Sequence, residues 1–209
     1  MRELIMREDI KVGAIFPDFE LPDHTNVKRK LSLLQGMDPM ILMLGRGIYC
    51  PKDRQQLSQM VQFSSQCDVG FTRMVTINCD NLILINDLRL GVGAHWPFLY
   101  DQERIILNDL EILEYTDQTN KPMIPHTFVL EPGLKIYKIY NGYWYWGRPS
   151  MAELHQDLRA ITMKYRPDFK IDTPEMKKKW ESGQRDDFYP YGKTWAEVFI
   201  RMAGNVDQF

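Results

Sequence analysis

The amino-acid sequence predicts an α/β fold, a central mixed β-sheet flanked by helices and followed by a C-terminal extension. Three observations predict it. Strand-like apolar runs alternate with helical periodicity between residues 39 and 92, the pattern of βαβ units. Residues 124–140 read as a hairpin, so antiparallel strands close the sheet. From Pro167 charge rises and aromatics scatter, which marks 167–209 as an extension rather than a second domain.

Residues 1–10 form a mixed-charge lead-in, and 11–166 the α/β domain. Val12–Pro22 alternates apolar and polar residues between prolines, as an edge strand would. Asp23–Asn26 is a turn. Pro39–Leu44 is a continuous apolar run and reads as a buried strand. Pro51 then sits at a first helical position, with Leu57, Met60 and Val61 at helical spacing up to about Gln66. Phe71–Ile77 is a second buried strand. Leu82, Ile85 and Leu88 mark a helix over 81–92 that Gly91 would stop. Trp96–Tyr100 is short and extended, and Ile105–Leu113 amphipathic. Ser150 and Glu153 form a capping box that opens a helix to about Tyr165. Thr173-Pro174 starts one more helix, which Gly183 ends.

Composition narrows the function classes. Lys+Arg 26 against Asp+Glu 28, without a basic cluster, disfavours a nucleic-acid partner. No apolar stretch approaches membrane-span length. Acidic residues at the N-terminus stand where a signal peptide would be apolar, so a soluble, cytoplasmic protein is expected. Three widely spaced cysteines make no disulfide framework and suit a reducing compartment. His24, His95 and His155 lack zinc-type spacing, and no phosphate-binding glycine motif occurs; neither a metal nor a cofactor is expected.

The chemical centre is Arg46-Gly-Ile-Tyr-Cys50-Pro-Lys-Asp-Arg54. A cysteine between a buried strand and a helix N-terminus sits where the helix dipole favours a thiolate. This segment is similar to the "RG-x-(W/Y)-C-P-x-C-R-x-x-L" active-site stretch of the AhpC/TSA family, the peroxiredoxin-related, redoxin-like branch of the thioredoxin fold. Val12–Pro22 is similar to that family's "G-x-x-x-P-x-F-x-L" opening. Ile124-Pro125-His126-Thr occupies the place of its cis-proline loop. The resemblance covers roughly residues 11–165. It implies a thioredoxin-like fold and thiol-dependent redox chemistry. The chain departs from the pattern in four places. Asp53 replaces the second cysteine, which forbids a local CxxC disulfide. Met43 and Gly47 stand where peroxiredoxins carry Pro and Thr. Pro125 occupies the place of their later-strand arginine.

Cys50 is the candidate nucleophile, and the alternative is an inert cysteine on a silent site. Arg46 and Arg54 could hold a thiolate, a peroxide oxygen or an anionic substrate, or else pair with Asp53 or Asp80. Tyr49 could donate its hydroxyl into the site or merely pack. Pro125, through the resemblance, would shape the pocket and present backbone to a bound sulfur. His126 is either a general base near neutral pH or, as the sequence favours, a surface residue. Trp144, Trp146 and Arg148 could line a substrate pocket, or serve strand-end packing or a dimer interface. Cys79 is the candidate resolving thiol, because parallel neighbouring strands end on one sheet edge. Cys67 would lie about 25 Å away along the helix.

The expected activity is reduction of hydrogen peroxide or an organic hydroperoxide through Cys50, with an external thiol of thioredoxin or glutathione type as reductant. A monothiol thiol–disulfide oxidoreductase and a non-catalytic binding module are the alternatives. The aromatic extension needs burial, either on its own domain or on that of a homodimer partner.

Overall fold

The computed structural model describes residues 6–143, 145–189, 192, 194 and 196. The chain forms two compact units, residues 1–157 and 158–209.

In the first unit, β1 (Glu20–Pro22) and β2 (Lys28–Lys30) pair as a small separate hairpin before α1 (Leu31–Gln35). The predicted edge strand over 12–22 is thus mostly irregular. Gly13 and Phe16 instead donate backbone hydrogen bonds to Ile136 and Leu134, laying this segment along a sheet edge. The prolines at 17 and 22 withhold the donors that a full strand would need.

The main sheet is built from β3 (Met40–Leu44), β4 (Arg73–Asn78), β5 (Phe98–Tyr100), β6 (His126–Glu131) and β7 (Lys135–Asn141). Its order is β5-β4-β3-β6-β7. β3, β4 and β5 run parallel, while β6 and β7 are antiparallel. All five residues of β3 are buried, which is why its sequence reads apolar without alternation. Edge strand β7 is mostly half-buried. The main core joins Phe16, Leu42, Leu44, Ile77, Phe128 and Leu130.

Between β3 and β4 lies α2 (Pro51–Val69), longer than its periodicity suggested. Its buried stripe contains Leu57, Met60, Phe63 and Cys67, while Val61 is only half-buried. The stripe begins with two polar residues, Asp53 and Gln56. α3 (Leu82–Val92) follows β4; Asn81 caps it, accepting from Leu84 N at 3.0 Å. It ends at Gly93, not Gly91, because Gly93 takes the left-handed conformation (φ +75°). α4 (Ile105–Asp109) is shorter than the amphipathic pattern implied. Glu111, at φ +59°, has already left the helical region. Leu113 and Met123 then pair in an isolated bridge that leads into β6.

α5 (Met151–Tyr165) opens with the expected capping box: Glu153 N donates to Ser150 Oγ at 3.2 Å, and Ser150 N to Glu153 Oε2 at 2.8 Å. In the second unit, a 3-10 turn (Pro167–Lys170) precedes α6 (Pro174–Glu181), capped by Thr173. Trp180 meets Phe188 edge-on at 5.1 Å and Arg185 lies over its ring, so part of the extension covers its own apolar surface. No helix among the described residues is long and apolar enough to cross a membrane.

Candidate active site

Residues 45–50 connect the end of β3 to α2, at the edge where β4 also ends. Cys50 is the N-cap residue of α2 and is 1 % exposed. Its backbone N donates to Gly47 O at 3.0 Å, closing a turn, while its side chain makes no capping hydrogen bond. The position is the expected one; the capping contact is absent.

The loop before Cys50 is organised by two carboxylates. Asp53 Oδ2 accepts from Arg46 N at 2.6 Å and Gly47 N at 3.0 Å. Asp80 Oδ2 accepts from Ile48 N at 2.7 Å. Burial raises the Asp80 carboxyl above its usual range, and the nearby charge of Asp53 adds to this, against the bond from Ile48. Gly47 has φ +123°, and a Cβ there would lie 2.7 Å from Asp80 Oδ1. The place of a side chain at 47 is filled by the Asp80 carboxylate.

Asp53, 3 % exposed, has a cationic partner, but it is neither flanking arginine. Arg148 Nη2 reaches Asp53 Oδ1 at 2.5 Å, and its Nη1 reaches Gln56 Oε1 at 2.5 Å. Gln56 Nε2 in turn donates to Thr127 Oγ1 on β6 at 2.8 Å. The pairing of Arg46 or Arg54 with Asp53 or Asp80, which the sequence left open, does not occur. Arg54 is exposed and donates through Nε to Ile48 O at 3.0 Å.

Arg46 turns toward the segment between α4 and β6. Its Nε lies 2.8 Å from Glu114 Oε2, an ionic contact without hydrogen-bond alignment, and its Nη2 is 3.3 Å from Asp117 Oδ2. Tyr49 Oη donates to the same Asp117 oxygen at 3.0 Å, and the Arg46 guanidinium sits 5.5 Å from the Tyr49 ring centre. Burial opposes the Arg46 charge. Tyr49, Glu114 and Cys50 more than offset it and raise its pKa. Burial and the bond to Asp117 push the Tyr49 hydroxyl far above its ordinary range.

Pro125 is buried directly before β6, where His126 faces Leu44, so the sheet brings this loop to the Cys50 edge. His126 is buried, not a surface residue. Burial lowers its pKa to about 4, against the bond between its Nδ1 and Ile124 O at 2.8 Å. At neutral pH it is uncharged. Trp146 is 89 % exposed and lines a groove of about 250 Å³ with Lys52, Gln55, Gln59, Arg148 and Glu153; Cys50 does not line it. Trp144 lies outside the described residues. Burial and Asp101 push the Cys79 thiol up to about 12, and burial and Asp68 do the same to Cys67.

Three residues with roles here carry no sequence signal: Glu114, Asp117 and Thr127; Asp80 enters the sequence reading only as a possible partner of the arginines. Asp53 and Gln56 do carry one, as polar residues on the buried stripe of α2.

A mixed five-stranded sheet with a cysteine at the N-cap position of the helix after its central strand defines a thioredoxin-like fold. The sequence matches the AhpC/TSA family over residues 12–139, and the chain belongs to that family. Comparison with curated protein sequences yields no significant match. Among solved structures, the chain is similar to the peroxidoxin BcpB from Mycobacterium tuberculosis, at 19% identity over 73% of this chain and 97% of that one, with a TM-score of 0.62. It is similar to a cysteine-to-serine mutant of peroxiredoxin 6 of Arenicola marina, at 18% identity, 77% and 76% coverage and a TM-score of 0.61. A yeast mitochondrial 1-Cys peroxiredoxin, studied for thiol resolution via glutathione/thioredoxin systems, gives 14% identity, 74% and 78% coverage and a TM-score of 0.63.

Proposed function

We propose that this protein is a thiol-dependent peroxidase that reduces hydrogen peroxide or an organic hydroperoxide through Cys50, an antioxidant activity. One observation carries the reading: Cys50 is buried at the N-terminus of α2, and the Arg46 guanidinium lies over the ring of its chain neighbour Tyr49. A helix N-terminus and a cation both favour thiolate over thiol. A cysteine only 1 % exposed is reached by a small oxidant far more readily than by a disulfide on another protein.

In the first step the thiolate attacks one peroxide oxygen. The S–O bond forms, the O–O bond breaks, and the departing alkoxide or hydroxide takes a proton to leave as alcohol or water. Sulfur is oxidised by two electrons to the sulfenic acid. An external thiol then displaces water to give a mixed disulfide. A second thiol releases Cys50 and carries away the new disulfide. Asp53 in place of a second cysteine supports this single-thiol cycle. So does the raised thiol of Cys79, which makes it a weak resolving nucleophile.

A second reading is favoured by the loop itself. No threonine hydroxyl stands at 47, and the N–H groups of residues 46–48 already serve Asp53 and Asp80. Monothiol exchange with a small disulfide does not require a polarised O–O bond. A dimedone-type probe after peroxide treatment separates the two. Trapped sulfenic acid on Cys50, abolished in Cys50→Ser, supports the peroxidase. Turnover of glutathionylated substrate without any trapped sulfenic acid supports the exchange reaction and refutes the first proposal.

A further inference from the structure

The best-anchored side chain beside Cys50 is Arg46, and what anchors it comes from a distant part of the chain. Residues 112–124 form a short arm between α4 and β6. Leu113 bridges Met123, Ile124 N donates to Ile112 O at 2.7 Å, and Glu114 N to Pro122 O at 2.9 Å. The arm is thus a closed ribbon, and it delivers Glu114 to Arg46.

Glu114 is a buried carboxylate. Its Oε1 accepts from Thr116 Oγ1 at 2.7 Å, and its Oε2 faces Arg46 Nε. Neither Arg46 Nε nor Glu114 Oε2 has any other polar partner, so each is left uncompensated without the other. Asp117 holds the other side of the guanidinium and also Tyr49, the residue next to Cys50. A flexible arginine held from two sides has one orientation available to it. That orientation lays its charge over the ring of Tyr49, one residue from Cys50, and Cys50 in turn favours the charge.

We propose that Glu114 is a positioning residue for Cys50: it sets the Arg46 guanidinium against the thiolate, with Asp117 as the second hold. The inference rests on Cys50 being a reactive thiol, not on peroxide being its substrate. A long side chain that its own loop could not keep still is made part of the site by an anion from a remote stretch of sequence. Glu114 does not touch the sulfur, and its effect passes entirely through Arg46.

The test measures the rate at which iodoacetamide alkylates Cys50 in the full-length protein, followed by peptide mass spectrometry at a fixed neutral pH. Arg46→Met removes the cation and slows alkylation by about three- to ten-fold, the effect of losing one nearby opposite charge on a thiolate. Glu114→Ala slows it toward the same value, Glu114→Gln, which keeps an acceptor oxygen, restores at least half of the loss, and Glu114→Ala adds nothing in the Arg46→Met background. The proposal is overturned if Glu114→Ala alkylates at the wild-type rate. It is equally overturned if Glu114→Ala slows Cys50 by the same factor with and without Arg46, because the residue then acts on the fold and not through the guanidinium. Should Glu114→Ala lose its circular dichroism, Asp117→Ala carries the same cycle, and a wild-type rate there overturns the proposal. Because alkylation needs no peroxide, these outcomes are independent of the dimedone experiment.

Discussion

Replacing Gly47 by threonine, the residue that typical peroxiredoxins carry at that position, separates this active-site loop from theirs. Two costs add. At φ +123° a β-branched residue is held in sparsely populated backbone space, which costs about 1–3 kcal/mol. The new Cβ would also stand 2.7 Å from Asp80 Oδ1, so the carboxylate must move and give up its bond to Ile48 N. Losing a hydrogen bond to a charged group costs about 1.5–3 kcal/mol. Together the substitution should destabilise the protein by about 4 kcal/mol. Urea unfolding followed by circular dichroism measures this. In an Asp80→Ala background the steric part disappears, and the cost of Gly47→Thr should fall to the backbone share, about 2 kcal/mol. A cost below about 1 kcal/mol in the wild-type background, or an equal cost in both, would refute the reasoning. It would mean that Asp80 does not occupy the side-chain position at 47.

Three further outcomes follow from the same geometry. Arg148→Met leaves Asp53 buried with only its two backbone donors, and should cost about 3 kcal/mol by denaturant titration, the low end for one half of a buried ion pair; an unchanged midpoint would show that the backbone bonds suffice. His126 has a folded pKa of about 4, below the unfolded value of about 6.5, so the unfolded chain binds the proton first. Its contribution is present above pH ~6.5 and is lost as pH falls to ~4, in total about 3 kcal/mol, and His126→Gln should flatten the stability profile in that window. Cys67 and Cys79, both pushed up to about 12, should remain unmodified by iodoacetamide at neutral pH while Cys50 reacts, as peptide mapping would show. A Cys50–Cys79 disulfide after peroxide treatment would contradict the external-thiol cycle.

The main elements were legible because their signals are local. β3 announces itself as a continuous apolar run, α2 by its apolar stripe and Pro51, and α5 by the capping box at Ser150 and Glu153. Where local signals misled, a tertiary requirement had intervened. The stretch 12–22 alternates like a strand, yet its prolines leave it unable to pair fully, and it lies along β7 instead. His126 reads as an ordinary polar residue beside a proline, but β6 carries it into the interior opposite Leu44, where desolvation keeps it neutral.

By itself, the sequence determined the family, the sheet class and the cysteine that is the candidate nucleophile. It determined, too, that no second cysteine stands one turn away. These are properties of contiguous residues, and contiguous residues are what periodicity and motifs report. Only the tertiary structure decided which partners surround Cys50. Asp53 takes Arg148 from beyond β7, and Arg46 takes Glu114 from the arm before β6, although Lys52 and Arg54 flank Asp53 in sequence. The physical reason is burial. A carboxylate or guanidinium removed from water must find a partner in reach of its own atoms, and the sheet brings those partners together from segments tens of residues apart.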